Sequence, residues 1–188
     1  MIESMTDQQR AELWRSAIES FGTAYIFEKR AAKFRGRMRL LAFSGIVLPL
    51  TVGAVAGAFG AGSSILAISI VVAGVLGVFQ LGLSAWAISA KWDDSLGYSQ
   101  ESTTDNYRLS KEFATLAKLA STTFQLQLAI LEAQSQSRDA QDQRQDISDP
   151  EKRMGLRAAL RQFERKCVKC EKVPDSMEPT DCPVCGKF

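Results

Sequence analysis

The sequence predicts an all-α membrane protein: a two-helix transmembrane hairpin flanked by long cytoplasmic helices, with a small C-terminal knuckle built on four cysteines. Three observations carry this reading. Leu40 to Ala90 runs 51 residues without an Asp, Glu, Lys or Arg. The stretches on either side carry apolar residues at helical spacing. All four cysteines of the 188-residue chain lie in its last 22 residues, as two CxxC pairs. The net charge of +2 and 46% hydrophobic content would suit a soluble domain, but the average hides the exclusion of charge from the middle. No histidine occurs, which removes Ser-His, Cys-His and His-metal chemistry. Without a phosphate loop or an open metal site either, no catalytic constellation is assigned, and the chain reads as a non-enzyme.

Residues 1–39 are expected to form a cytoplasmic amphipathic helix. Thr6 to Gln9 (TDQQ) fits a capping box, in which a hydroxyl and an amide three residues on satisfy each other's free backbone donors. Trp14, Ile18, Phe21 and Tyr25 then fall on one face. Nothing but Gly22 and Gly36 interrupts the pattern, so the helix is expected to continue into the first span.

A lipid core roughly 30 Å thick takes about 20 apolar residues per helix. Residues 40–90 are therefore too long for one span and fit two, at about 40–62 and 63–90. The run sits behind a charged, helix-like stretch, unlike a cleavable signal peptide. Gly60, Gly62, Ser63 and Ser64 supply the only turn chemistry, which makes the tip short. Residues 28–39 hold six Lys/Arg against one Glu, and Lys91 follows the second span. The positive-inside rule then puts both termini in the cytoplasm, with Trp86 and Trp92 at the interface.

Gly53, Gly57 and Ala61 in the first span, and Ala73 with Gly77 in the second, repeat at four-residue spacing. Such faces let helix backbones approach closely, either within the hairpin or between protomers. Pro49 frees the carbonyl of Gly45 and is expected to bend the first span. Gln80, the most polar side chain of the run, either makes an interhelical hydrogen bond or lines an oligomer axis. No charge lines a route through the membrane, which argues against an ion-coupled transporter.

Residues 91–147 read as a polar, turn-like linker (DDSLGYSQESTTDN) and a long helix from about Asp105 to near Arg144. Leu109, Phe113, Leu116, Ala120, Thr123, Gln127 and Ile130 follow a four-three spacing, while Leu119, Leu126 and Leu128 lie on the other side. That surface exceeds what one partner helix covers, so contacts with the N-terminal helix and with other protomers are expected. Residues 148–166 form a short basic helix, with Ser148 or Asp149 as cap, Pro150 in the first turn and Glu151 near the positive end. Leu156, Leu160 and Phe163 make its apolar face. Arg153, Arg157, Arg161 and Arg165 form a ridge that is either solvated or suited to a phosphate, nucleic acid or anionic lipid heads. Interspersed acids disfavour nucleic acid.

In the tail, residues 167–188, Cys167 and Cys170 form one CxxC, and Cys182 and Cys185 the other, eleven residues later. Two such turns place four thiolates around one tetrahedral ion, and Gly186 is expected to permit the tight turn after the second pair. A disulfide pairing is the alternative, and a cytoplasmic tail disfavours it. Four sulfurs leave no open position, so the expected ion is a structural Zn²⁺. So short a tail has no apolar core of its own, and the metal would supply its folding energy.

The charged N-terminal helix, tight hairpin and long cytoplasmic helix over residues 1–145 resemble the SLATT superfamily of two-transmembrane effectors. CVKC-x11-CPVC is similar to the subgroup described as mobilome CxxCx(11)CxxC proteins. The family's zinc ligands carry over to Cys167, Cys170, Cys182 and Cys185. The resemblance implies an oligomeric inner-membrane effector of a prokaryotic anti-phage or mobile-element conflict system, which forms pores or disrupts the membrane when a nucleotide-sensing or nucleotide-synthesising partner signals. The competing expectation is a membrane-anchored scaffold or receptor whose zinc tail recruits a protein, nucleotide or nucleic-acid partner.

Overall fold

The structure is a computed structural model that describes residues 5–59, 64–118 and 124–188. Gly60, Ala61, Gly62 and Ser63 of the expected tip, and Leu119, Ala120 and Thr123 of the expected stripe, lie outside the described residues. Among the described residues the regular structure is all helical: α1 (Asp7–Phe59), α2 (Ser64–Ser89), α3 (Trp92–Lys118), α4 (Phe124–Asp142) and α5 (Asp149–Gln162), with one 3₁₀ turn after α4. The chain divides into two compact units, one of Met1–Lys29 with Ser99–Phe188 and the other of Arg30–Tyr98.

The first unit begins at the expected capping box. The Gln9 backbone N–H donates to Thr6 Oγ1 at 3.2 Å and the Thr6 N–H to Gln9 Oε1 at 2.9 Å. The buried stripe of α1 is Leu13, Ala17, Ser20, Ala24 and Phe27, one residue away from the aromatic stripe read from the sequence. Small side chains sit at its centre because α3 comes close: Ser110 Oγ donates to the Ala17 carbonyl at 2.7 Å. The larger rings flank this contact, with Phe21 edge-on to Tyr107 and to Phe163.

Two expectations for residues 91–147 are corrected. The polar stretch after Lys91 is helix, since α3 starts at Trp92 and Asp93 and Asp94 in its first turn favour the positive helix end. The long helix is two helices, and α4 runs back along α3. Asp142 accepts from Ser102 Oγ (2.9 Å) and Asn106 Nδ2 (2.7 Å), Arg138 reaches Asp105 (3.1 Å) and Glu101 (2.9 Å), and Arg108 reaches Gln134 (3.1 Å). Sequence numbers rise on one helix as they fall on the other, which is antiparallel pairing. Leu109, Phe113 and Leu116 of α3 are buried as expected, and α4 contributes Phe124 and Leu131. Ile130 and Gln127, which would continue the α3 stripe in one straight helix, are exposed.

The second unit contains the apolar pair. In α1 and α2 the most hydropathic windows are long and apolar enough to cross a membrane, and 0% and 6% of them are buried. Gln80 Nε2 donates to the Leu41 carbonyl at 3.5 Å, a long bond between the two helices. Gly45 makes room for it, because a Cβ there would lie 2.9 Å from that nitrogen. Ala73, Gly77 and Gln80 line a gap of about 360 Å³ facing Pro49 and Val52. A Cβ added at Gly53, Gly57 or Gly77 would meet nothing within 4 Å. Arg37 lies over Trp92 at 5.3 Å.

Candidate metal centre

α5 starts where its signals fall. Ser148 is the cap, its N–H and hydroxyl both donate to Glu151 Oε2 (2.9 and 2.8 Å), and Pro150 occupies the first turn. The helix closes with Glu164 in the left-handed region (φ 52°), Arg165 N–H on the Leu160 carbonyl at 2.9 Å and Glu164 N–H on the Arg161 carbonyl at 3.3 Å. This is a Schellman closure, made without the usual glycine. It turns the chain into Cys167.

Each CxxC is a tight backbone turn. In the first, the Glu171 N–H donates to the Cys167 carbonyl at 2.9 Å and the Cys167 N–H to the Lys172 carbonyl at 3.0 Å, with Glu171 left-handed (φ 57°). In the second, the N–H groups of Gly186 and Lys187 both donate to the Cys182 carbonyl, at 3.0 and 3.2 Å. Gly186 is needed for space and not for a left-handed turn: a Cβ would overlap Thr180 Oγ1 and the Thr180 carbonyl. The Thr180 N–H donates back to Gly186 O at 3.0 Å.

These turns bring all four predicted ligands together. The Sγ atoms of Cys167, Cys170, Cys182 and Cys185 lie within 4.8 Å of one another, with Cys167–Cys182 at 3.9 Å and Cys170–Cys185 at 3.8 Å. None is in a disulfide. A tetrahedral ion with metal–sulfur bonds of about 2.3 Å requires sulfur–sulfur edges of about 3.8 Å. The cysteines therefore fit a tetrahedrally bound metal ion. Backbone N–H groups of Cys185, and then Val184, aim at the Cys182 sulfur and lower its pKa to about 6. Burial, followed by hydrogen bonds with the other thiols, pushes Cys185 up. A bound cation favours the thiolate at both positions.

The arginine ridge divides by function. Arg157 is 4% exposed and turns into the tail, where its Nε donates to the Ser176 carbonyl (2.8 Å) and its Nη1 to the Cys185 carbonyl (3.4 Å) and Thr180 Oγ1 (3.5 Å). Arg153 donates to the Lys187 carbonyl at 3.0 Å, and Arg165 covers the Trp14 ring at 4.7 Å. Arg161 lies at the rim of a cavity of about 410 Å³ with Phe21, Tyr25 and Tyr107. Sequence reasoning missed Arg157 as the clamp of the tail, Thr180 as its neighbour and the backbone contact of Gly22 with Gly155. A glycine in the middle of α5, where it weakens the helix, was the available sign of that close approach.

No curated protein and no solved structure is detectably similar to the chain. A family model matches residues 10–188, almost the whole chain. The chain belongs to the family described as Mobilome CxxCx(11)CxxC protein.

Proposed function

We propose that the chain is an inner-membrane protein, with both termini in the cytoplasm, whose hairpin anchors a zinc-stabilised helical unit that receives a partner's signal in a prokaryotic mobile-element conflict system of the SLATT type. The observation that carries this reading is the outward display of large apolar side chains on α1 and α2, among them Leu40 (69% exposed), Val71 (67%), Val78 (72%) and Leu81 (72%). A core helix of a soluble protein buries such groups, whereas lipid solvates them. An all-thiolate, four-coordinate set suits Zn²⁺, and with no open position the ion is structural.

Contacts with other copies were expected from the surplus apolar surface of 105–144, of which Leu126 (67% exposed) and Ile130 (52%) remain outside. Leu109, Phe113, Leu116, Phe124 and Leu131 are instead consumed inside the first unit, which favours an anchored module over a membrane-breaching bundle. The second reading, an oligomeric effector that disrupts the membrane, draws support from Gly53 and Gly57, whose faces lack neighbours and suit a second copy. Replacing residues 40–90 by an unrelated two-span hairpin separates the two. Retained function in cells supports the module, and lost function with intact membrane insertion supports breaching. Release of dye from liposomes carrying the purified protein would overturn the anchored reading. Full extraction from membranes at alkaline pH would overturn both.

A further inference from the structure

The metal tail shares its packing with α5, and α5 is what lies over the aromatic flank of α1. On one side of α5, Leu156 and Leu160 complete the apolar cluster of the four cysteines and Val184. On the same side the buried Arg157 donates to three acceptors, Ser176 O, Thr180 Oγ1 and Cys185 O, all in the tail. Toward α1, Gly155 meets the backbone of Gly22, and Phe163 lies edge-on to Trp14 and Phe21 at 5.8 and 5.6 Å between ring centres. Arg165, two residues before Cys167, covers Trp14.

We propose that α5 and the tail form a metal-dependent latch: the bound ion holds the tail, the tail satisfies Arg157, and the seated α5 covers the Trp14–Phe21 flank of α1. This rests on the cysteines holding a metal, as proposed above. Without the ion the tail has little apolar burial beyond its contacts with α5. The Arg157 guanidinium then exchanges its tail acceptors for water, and Leu156 and Leu160 lose their packing against the cysteine cluster. A 14-residue helix is marginal on its own, so α5 leaves its seat. The α1–α3–α4 core cluster takes in Phe163, just past the end of α5, at its edge, and in the latch that core stays folded. Loss of metal to a chelator thereby uncovers an aromatic surface while the rest of the unit persists.

The test uses the full chain in detergent under reducing conditions, with bound metal measured in every sample. Hydrogen exchange is followed in α5 and in α3 before and after metal is stripped by a chelator. The latch predicts that α5 amides exchange at least about tenfold faster in the stripped protein, with α3 amides little changed. Metal loss with α5 protection intact overturns it. Equal loss of protection in α3 also overturns it, since the tail would then hold the whole unit. Purified protein that holds no metal refutes the premise itself, a result distinct from failure of the latch. Arg157→Met should speed metal release to a chelator about 10–100-fold, as loss of groups that orient ligands does. Arg157→Lys, which keeps the charge and one donor group, should fall between Met and the parent. Equal release rates in all three proteins overturn the role of Arg157.

Discussion

The two units of this protein bury opposite things. In Met1–Lys29 with Ser99–Phe188, Leu13, Leu109 and Phe113 are inside, and so are Ser102, Asn106, Arg138 and Asp142. In Arg30–Tyr98, most of the described leucines, valines and isoleucines face outward, and Gly53, Gly57 and Gly77 stand unpacked. One unit hides its large apolar side chains, and the other displays them. Buried polar groups in the first must be paired to be tolerated, while the second carries almost none to pair. Substitutions should therefore be felt very differently in the two.

The largest effect is expected in the tail. Cys182→Ser with Cys185→Ser removes two of four ligands and should abolish metal binding, at a cost on the order of 10 kcal/mol of tail stability. Metal analysis together with alkaline extraction checks this: the metal should be lost and the protein should stay in the membrane. Extraction of the variant, but not of the parent, would show that the units do not differ as argued.

Next is the polar layer between α3 and α4. Arg138 is 4% exposed and Asp142 3%, and they share a 3.3 Å ion pair with Ser102 and Asn106 around it. Asp142→Leu alone leaves Arg138 without its buried partner and should cost about 3–5 kcal/mol in thermal or denaturant unfolding. Adding Arg138→Met should recover much of that loss. If the double variant is no better than the single one, the layer is not the coupled pair described here.

The glycines give a direct comparison between units. Gly155→Ala places a Cβ 2.5 Å from the Gly22 carbonyl oxygen and should destabilise the first unit by about 1–3 kcal/mol. Gly53→Ala, with nothing within 4 Å, should leave the isolated chain no less stable and gain up to about 1 kcal/mol of helix propensity. A large effect at Gly53 on association in detergent would reveal a second copy on that face and favour the breaching reading.

What could be read beforehand follows the range of the interactions. The apolar run, the start of α5 at Ser148 and the cysteine spacing are local patterns, and they pointed to two long apolar helices, a short last helix and four cysteines that come together. The reversal between α3 and α4 was not legible, because Leu109, Phe113, Leu116 and Ile130 fit one straight stripe as well as two short ones. What selects the hairpin is the pairing of Ser102 and Asn106 with Asp142, and of Glu101 and Asp105 with Arg138, across more than 30 residues. The same limit hid Arg157. Four arginines at four-residue spacing describe a ridge, but which one turns inward depends on where the tail places its carbonyls.

The smallest expected effect tests the joint between α5 and the tail. Glu164 holds the left-handed position of the helix closure at φ 52°, a conformation that costs an ordinary L residue about 1–2 kcal/mol and glycine almost nothing. Glycine loses more chain entropy on folding, which offsets part of the gain. Glu164→Gly should therefore stabilise the first unit by roughly 0.5–1 kcal/mol, visible as a rise in melting temperature of the metal-loaded protein. The direction matters more than the size. If α5 and the tail fold as one piece, relieving their joint should also slow metal release, and the same substitution should leave the extraction behaviour of the hairpin untouched. Stabilisation without slower release would mean that the closure belongs to the helix alone.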